Sequence, residues 1–265
     1  MLPKQSENAE YYEKRHRGET NNSGPVAEIR QTLALDYAGD EVINAICSNI
    51  AFAGKKIKRI AITSHDANNG KTFLATRIAY GMTKRGKTVL LIDGDLRKST
   101  LINRYGITHT KNGLSHYLSG QAELDGVIYQ TDIPNLYLLP AGKLVQSPLS
   151  LLTSEEFDRL MEDMGREFDA VIVDTPPIGA VIDAAEIAKR CDGSILVLAY
   201  NKITKDGLQR LVRTMEQTQT PVIGCIINNV TMSKLDRKRY DYGYGYGYYY
   251  GNAKKKNRKR SGTRR

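Results

Sequence analysis

Between residues 57 and 231 the chain alternates short apolar runs with longer amphipathic stretches. The runs are Ile60–Thr63, Val89–Ile92, Leu136–Leu139, Ala170–Val173, Ile195–Ala199 and Val222–Ile227. They are β-branched and nearly continuous, which predicts strands buried on both faces of a parallel sheet. The stretches between them predict helices near 71–85, 154–166, 183–190 and 205–217, and Thr153 with Glu156 is spaced as a capping box for the second. This alternation predicts an α/β fold with a doubly wound, mostly parallel sheet and ligands at the carboxyl ends of its strands.

Upstream, residues 25–54 carry two short helical patterns. Pro25 suits the first helical position of one. Asp40 suits the cap of the other, with Val42, Ile43, Ile46 and Ile50 on one face. Residues 1–24 hold few apolar groups, and after Leu235 there is no Leu, Ile, Val, Phe or Met. Both ends are therefore expected to be disordered. The expected division is a disordered 1–24, N-terminal helices over 25–54 that serve oligomerisation, a nucleotide domain over 55–231, and a tail over 232–265.

Charge sharpens that division. The chain has 39 Lys+Arg against 29 Asp+Glu, a net charge of +10. Residues 232–265 hold 12 of the basic and 2 of the acidic residues, so the first 231 residues carry 27 of each. A neutral body argues against a uniformly basic, specific nucleic-acid-binding face. No run of about 18 apolar residues suits a membrane span. The polar N-terminus lacks the apolar region of a secretory signal. Cys47, Cys191 and Cys225 are far apart, form no metal-ligand spacing, and read as small buried hydrophobes in a reducing cytoplasm.

Three segments carry chemistry. The first run leads into His65-Asp66-Ala67-Asn68-Asn69-Gly70-Lys71-Thr72, with a helix expected to start there. Gly-Lys-Thr between strand and helix is the core of a phosphate-binding loop, although His65 stands where the full pattern has its first glycine. The second run ends in Asp93-Gly94-Asp95-Leu96-Arg97, two carboxylates two residues apart. The third ends in Asp174-Thr175-Pro176-Pro177, and Asp174 suits a water-mediated Mg²⁺ ligand. Each segment alone is weak; their order, each at the carboxyl end of an expected strand, argues a nucleoside-triphosphate site. Arg97, Asp183 and Asn229 are lesser candidates that also suit surface, cap or turn positions.

These segments, together with a terminal tyrosine cluster, resemble the bacterial tyrosine kinases (BY-kinases) of capsule and exopolysaccharide synthesis, in their stand-alone form. The resemblance spans about residues 36–250. It is supported by Gly113-Leu114-Ser115, Leu118-Ser119-Gly120, Leu138-Leu139-Pro140-Ala141-Gly142, Asp192-Gly193 and Asn228-Asn229-Val230. It implies a MinD/ParA-like P-loop architecture and tyrosine autophosphorylation with ATP and Mg²⁺. The implied catalytic residues are Lys71, Asp93, Asp95, Arg97 and Asp174, with Asp93 receiving the tyrosine proton. Asn68, Asn69, Gly70, Lys71, Thr72, Phe73 and Asn229 would bind nucleotide, and Thr72, Asp95 and Asp174 would organise the metal. The implied partners are a membrane chain-length regulator of polysaccharide export and a cognate tyrosine phosphatase, which would place the protein at the inner face of the plasma membrane. The family also implies a homo-oligomeric ring closed by Glu-x-x-Arg-x-x-Arg. Here Glu41 is present, but Asn44 and Cys47 take the arginine positions, which leaves the ring open to question.

The expected phosphoacceptors are Tyr240, Tyr242, Tyr244, Tyr246, Tyr248, Tyr249 and Tyr250. Interleaved glycines give the backbone freedom that an acceptor needs. Each phosphate would add about −1.5 to −2 charges, so five or six would cancel the tail's excess. A MinD/ParA-like ATPase switch and a non-catalytic nucleotide-binding scaffold remain the alternatives.

Overall fold

The computed structural model describes residues 25–230. All six expected runs are strands: β2 (Arg59–Ser64), β3 (Val89–Asp93), β6 (Leu136–Leu139), β7 (Ala170–Asp174), β8 (Gly193–Ala199) and β9 (Val222–Asn228). They lie parallel in the order β6-β3-β7-β2-β8-β9. Every residue of β3 and β7 is buried. Successive side chains of a strand point to opposite faces. Val89 and Leu91 accordingly join the core on one side of the sheet, and Leu90 and Ile92 the core on the other.

Three short strands complete the nine-stranded sheet: β1 (Val26–Ile29), β4 (Ile107–Thr108) and β5 (Tyr129–Thr131). They continue it beyond β6 in the order β5, β1, β4. β5 runs antiparallel to β6, β1 parallel to β5, and β4 antiparallel to β1.

The four longer helices are α1 (Tyr37–Ala53), α2 (Lys71–Thr83), α6 (Glu155–Glu167) and α8 (Lys205–Thr218). Shorter ones are α3 (Leu101–Tyr105), α4 (Leu114–Leu118), α5 (Leu149–Leu152) and α7 (Asp183–Ala188). α1, α2 and α3 cover one face through Ile43, Cys47, Ile78 and Leu101, and α4 to α7 cover the other through Leu114, Leu152, Phe157 and Ile187. Burial of each such side chain stabilises the fold by about 1.5–3 kcal/mol.

Four local expectations are corrected. Residues 26–29 are a strand, so the N-terminal segment is not helical throughout: Gln130 N–H donates to the Pro25 carbonyl at 3.0 Å and Asp132 N–H to that of Ala27 at 3.3 Å. This tertiary pairing overrides the helical reading of Pro25. Asp36, not Asp40, caps α1, accepting from Gly39 N–H at 2.9 Å, while Asp40 pairs with Lys84. Val42 points to solvent and Cys47 joins Ile43 and Ile50 on the buried face. Ser154, not Thr153, caps α6 by accepting from Phe157 N–H; the Thr153 hydroxyl donates to the Leu149 carbonyl.

Both positions where the resemblance implies arginine lie at the α1–α2 contact. Cys47 is buried beside Ile78 and Gly81, and the Asn44 carbonyl accepts from Arg85 at 2.7 Å. Burial pushes the Cys47 thiol up to about 11 and that of Cys191 to about 12, so both remain protonated. Cys225 departs from the expected burial and lies exposed on β9.

Gly81 is what allows this contact, since a Cβ there would sit 2.6 Å from Ile43 Cγ2 and 3.2 Å from Cys47 Sγ. Gly81→Ala is expected to destabilise the protein by about 1–3 kcal/mol through overpacking. Thermal melting followed by circular dichroism measures this, and an unchanged midpoint would mean that α1 is free to move off α2.

Candidate nucleotide site at the carboxyl edge of the sheet

β2 leads into the loop at 65–70, and α2 begins immediately after it. Asn68 has φ +60° and Gly70 φ +94°, both left-handed. Asn tolerates that region better than most residues and Gly enters it freely. α1, α6 and α8 receive side-chain caps from Asp36, Ser154 and Thr204, but α2 begins at Gly70, which has no side chain to cap with. The unpaired amides at the start of α2 form the positive end of the helix dipole and suit an anion.

Lys71 is buried at 8% exposure, and its ammonium donates to Ser64 Oγ at 3.1 Å. Burial lowers its pKa, while the nearby charges of Asp174, Asp95 and Asp66 oppose that shift. The Ser64 hydroxyl in turn donates to the Asp66 carbonyl at 2.6 Å, so the base of the loop is internally braced.

The carboxylates come from the neighbouring strands. In the parallel register of β3 and β7, Asp93 lies directly beside Asp174. Both are almost fully buried. Burial pushes Asp93 up to about 8; Asp174 and Asp95 add to that, while hydrogen bonds from Ser99 and the Asp95 backbone oppose it. Burial pushes Asp174 up to about 7, against the pull of the Thr72 hydroxyl and the Lys71 ammonium. Each Asp93 oxygen has a donor: Asp95 N–H to Oδ1 at 3.3 Å and the Ser99 hydroxyl to Oδ2. Asp174 Oδ1 is buried without a partner.

Half-buried Asp95 accepts from Arg97 N–H at 3.2 Å and Lys98 N–H at 2.9 Å, which curls the chain after β3. The Arg97 guanidinium turns away from the loop. It grips Asp183, only 1% exposed, at 2.5 and 3.0 Å and donates to the Gln146 carbonyl at 2.9 Å. Here Arg97 acts as a brace between the Asp95 segment and α7. The Phe73 ring lies under the Arg77 guanidinium, 4.7 Å from its carbon. Asn229 is exposed with φ +57°, whereas its neighbour Asn228 donates from Nδ2 to the Asn69 carbonyl at 2.9 Å. Asn228, which sequence reasoning did not single out, is the residue of the pair that touches the loop. The Asn228-Asn229 pair marked the place, and strand parity selects the first. The supporting stretches also meet: Leu114 N–H donates to the Pro140 carbonyl at 2.7 Å and Ser115 N–H to that of Ala141 at 3.0 Å. The tail tyrosines lie outside the described residues.

Comparisons with known proteins agree with this arrangement. The model of an AAA domain family matches residues 57–227. Tyrosine-protein kinase CpsD of Streptococcus agalactiae is 39% identical over 211 residues, covering 76% of this chain and 92% of that protein. The chain belongs to the bacterial tyrosine kinases. The kinase domain of Escherichia coli tyrosine kinase ETK shares this kinase-family fold with a TM-score of 0.69 at 27% identity, over 77% of this chain and 84% of that one. The septum site-determining protein MinD of Pyrococcus horikoshii OT3, solved with Mg-ADP, has a TM-score of 0.59 at 22% identity, over 67% and 72% of the two chains, a likeness of fold alone.

The kinase-family residues also fit a divalent cation. Asp174 presents an unpartnered buried oxygen beside Thr72, and three carboxylates surround one lysine. No group of three or more His, Cys, Asp or Glu among the described residues forms a closed metal cage. A buried carboxylate oxygen beside a hydroxyl suits Mg²⁺, which is commonly held by one or two protein groups together with substrate phosphates and water.

The raised carboxylates have a pH signature. An Asp in the unfolded chain titrates near 3.8, far below Asp93 in the fold. The unfolded chain therefore loses this proton first, so stability falls as pH rises from about 4 and the loss is complete above about 8. Nucleotide-free Asp93→Asn protein is expected to melt several degrees above the parent at pH 8, with a smaller gap at pH 5. Melting in EDTA at the two pH values measures it; an Asn variant that melts no higher at pH 8 would remove the buried charge as a source of instability.

Proposed function

We propose that the chain is an ATP-dependent protein-tyrosine kinase that phosphorylates tyrosines in its own 232–265 segment and so regulates capsular or exopolysaccharide synthesis and export. The observation that carries the reading is the buried Asp93–Asp174 pair beside an uncapped helix start bearing Lys71 and Thr72. The second buried carboxylate supplies a proton acceptor beside the phosphate loop, and the likeness to tyrosine-protein kinases favours a tyrosine hydroxyl over water as the attacking group.

In this reading the amides at the start of α2 and the Lys71 ammonium hold the β- and γ-phosphates. Thr72 would hold Mg²⁺ directly, and Asp95 and Asp174 through water; the ion supplies charge neutralisation. In its ionised form Asp93 receives the proton of the attacking tyrosine, whose hydroxyl has a pKa near ~10 when free. Positioning and charge neutralisation supply most of the rate. Arg97 contributes by keeping the Asp95 segment on Asp183. The acceptors are Tyr240, Tyr242, Tyr244, Tyr246, Tyr248, Tyr249 and Tyr250. A membrane chain-length regulator would activate the kinase at the inner face of the plasma membrane, and a cognate phosphatase would reverse it.

The MinD-like alternative keeps one favourable observation, the shared fold with a protein that holds Mg-ADP. Incubation with ATP, Mg²⁺ and the cytoplasmic segment of the regulator separates the two. Mass spectrometry is expected to find phosphate on residues 240–250 of the parent and none in Lys71→Met. Phosphate release without phosphotyrosine would replace the kinase by the switch.

A further inference from the structure

We propose that Asn228 orients the Asn69–Gly70 peptide of the phosphate loop and thereby sets how tightly the loop grips a polyphosphate. The inference rests on reading residues 65–70 as a phosphate site.

The backbone of Asn228 is fixed from β8. It pairs in register with Ala199, and its carbonyl accepts from Tyr200 N–H at 2.8 Å. From that fixed point its side-chain amide donates to the Asn69 carbonyl at 2.9 Å, across 159 residues of sequence. Asn69 is only 3% exposed, so its carbonyl needs such a partner.

The orientation of one carbonyl decides that of the next amide. The described residues contain no cis peptide, and in a trans peptide the C=O and the following N–H point in opposite directions. Turning the Asn69 carbonyl onto Asn228 therefore aims Gly70 N–H away from the Asn228 amide, to the side that would seat a phosphate. Glycine imposes little preference of its own, because both signs of φ are open to it. A peptide ending in Gly can flip cheaply unless something outside the loop holds it. The fit is close: a Cβ on Gly70 would lie 2.2 Å from Asn228 Nδ2. The residue that makes the loop pliable is thus the one that lets the amide approach.

The role assigned is positioning, through the peptide, and it differs from contact with a nucleotide base. Inorganic tripolyphosphate separates the two because it has phosphates and no base. Binding of Mg-ATP and of Mg-tripolyphosphate is measured by competition against a fluorescent ADP analogue, using the full-length protein and its Asn228→Ala, Asn228→Asp and Asn228→Ser variants. Both ligands are expected to weaken by the same factor, about tenfold for Asn228→Ala, the scale of one well-placed hydrogen bond. Asn228→Asp keeps the side-chain shape and so tests the donor without a packing change. It is expected to weaken binding further, since a carboxylate repels the Asn69 carbonyl. Asn228→Ser retains a donor and is expected to recover part of the loss. Weakening of ATP alone, with tripolyphosphate unchanged, would assign Asn228 to the base and overturn the proposal, as would equal affinities in parent and variants. A parent that binds neither ligand would instead refute the phosphate site itself.

Discussion

The register of β7 between β2 and β3 is the constraint on which the rest of the site depends. It sets Asp174 beside Asp93 on one side and beside Ile62 on the other. A slip of one residue would send every side chain of β7 to the opposite face, exchanging the two halves of the core. Contacts beyond the strand hold this register. The Thr175 hydroxyl donates to the Ile62 carbonyl at 3.0 Å, and Ile178 N–H donates to that of Ser64 at 2.9 Å. The loop containing Pro176 and Pro177 is thereby laced onto β2, next to the phosphate loop.

Much of this was legible in the sequence because the central strands are buried on both faces and read as unbroken apolar runs. The three nucleotide segments were legible for the same reason, since each ends such a run. What escaped notice was short or set at a distance. β1, β4 and β5 have two to four residues each, fewer than a periodicity needs, and exist through pairing. Asp36 and Asp40 are equally good caps by composition; only the extended backbone of Asp36 decides. Arg97 lies in the middle of a chemical motif, but a buried carboxylate 86 residues away claims its guanidinium. Asn228 and Asn229 are chemically identical, and the end of β9 falls between them.

The site is also where the fold gives up stability. Asp93 and Asp174 are buried acids that water would favour ionised, and α2 lacks the side-chain cap that the other three longer helices have. The Arg97–Asp183 pair works in the other direction. Because Asp183 is inaccessible, removing the arginine would leave its buried oxygens without the donors that satisfy them. The segment carrying Asp95 is thus tied to α7 a few residues from the buried acids.

The sheet also dictates an order of assembly during synthesis. β1 is made first, yet its partner residues Gln130 and Thr131 follow 104 residues later. At about 5–20 residues per second this strand waits roughly 5–20 s for its neighbour. β2, which delivers the phosphate loop, waits longer still, for β7 and then β8. The contact from Asn228 to Asn69 comes last of all. A growing chain therefore displays the Gly-Lys-Thr tripeptide long before it owns a finished loop, and completion of the loop coincides with the end of β9, immediately before the tyrosine segment is translated.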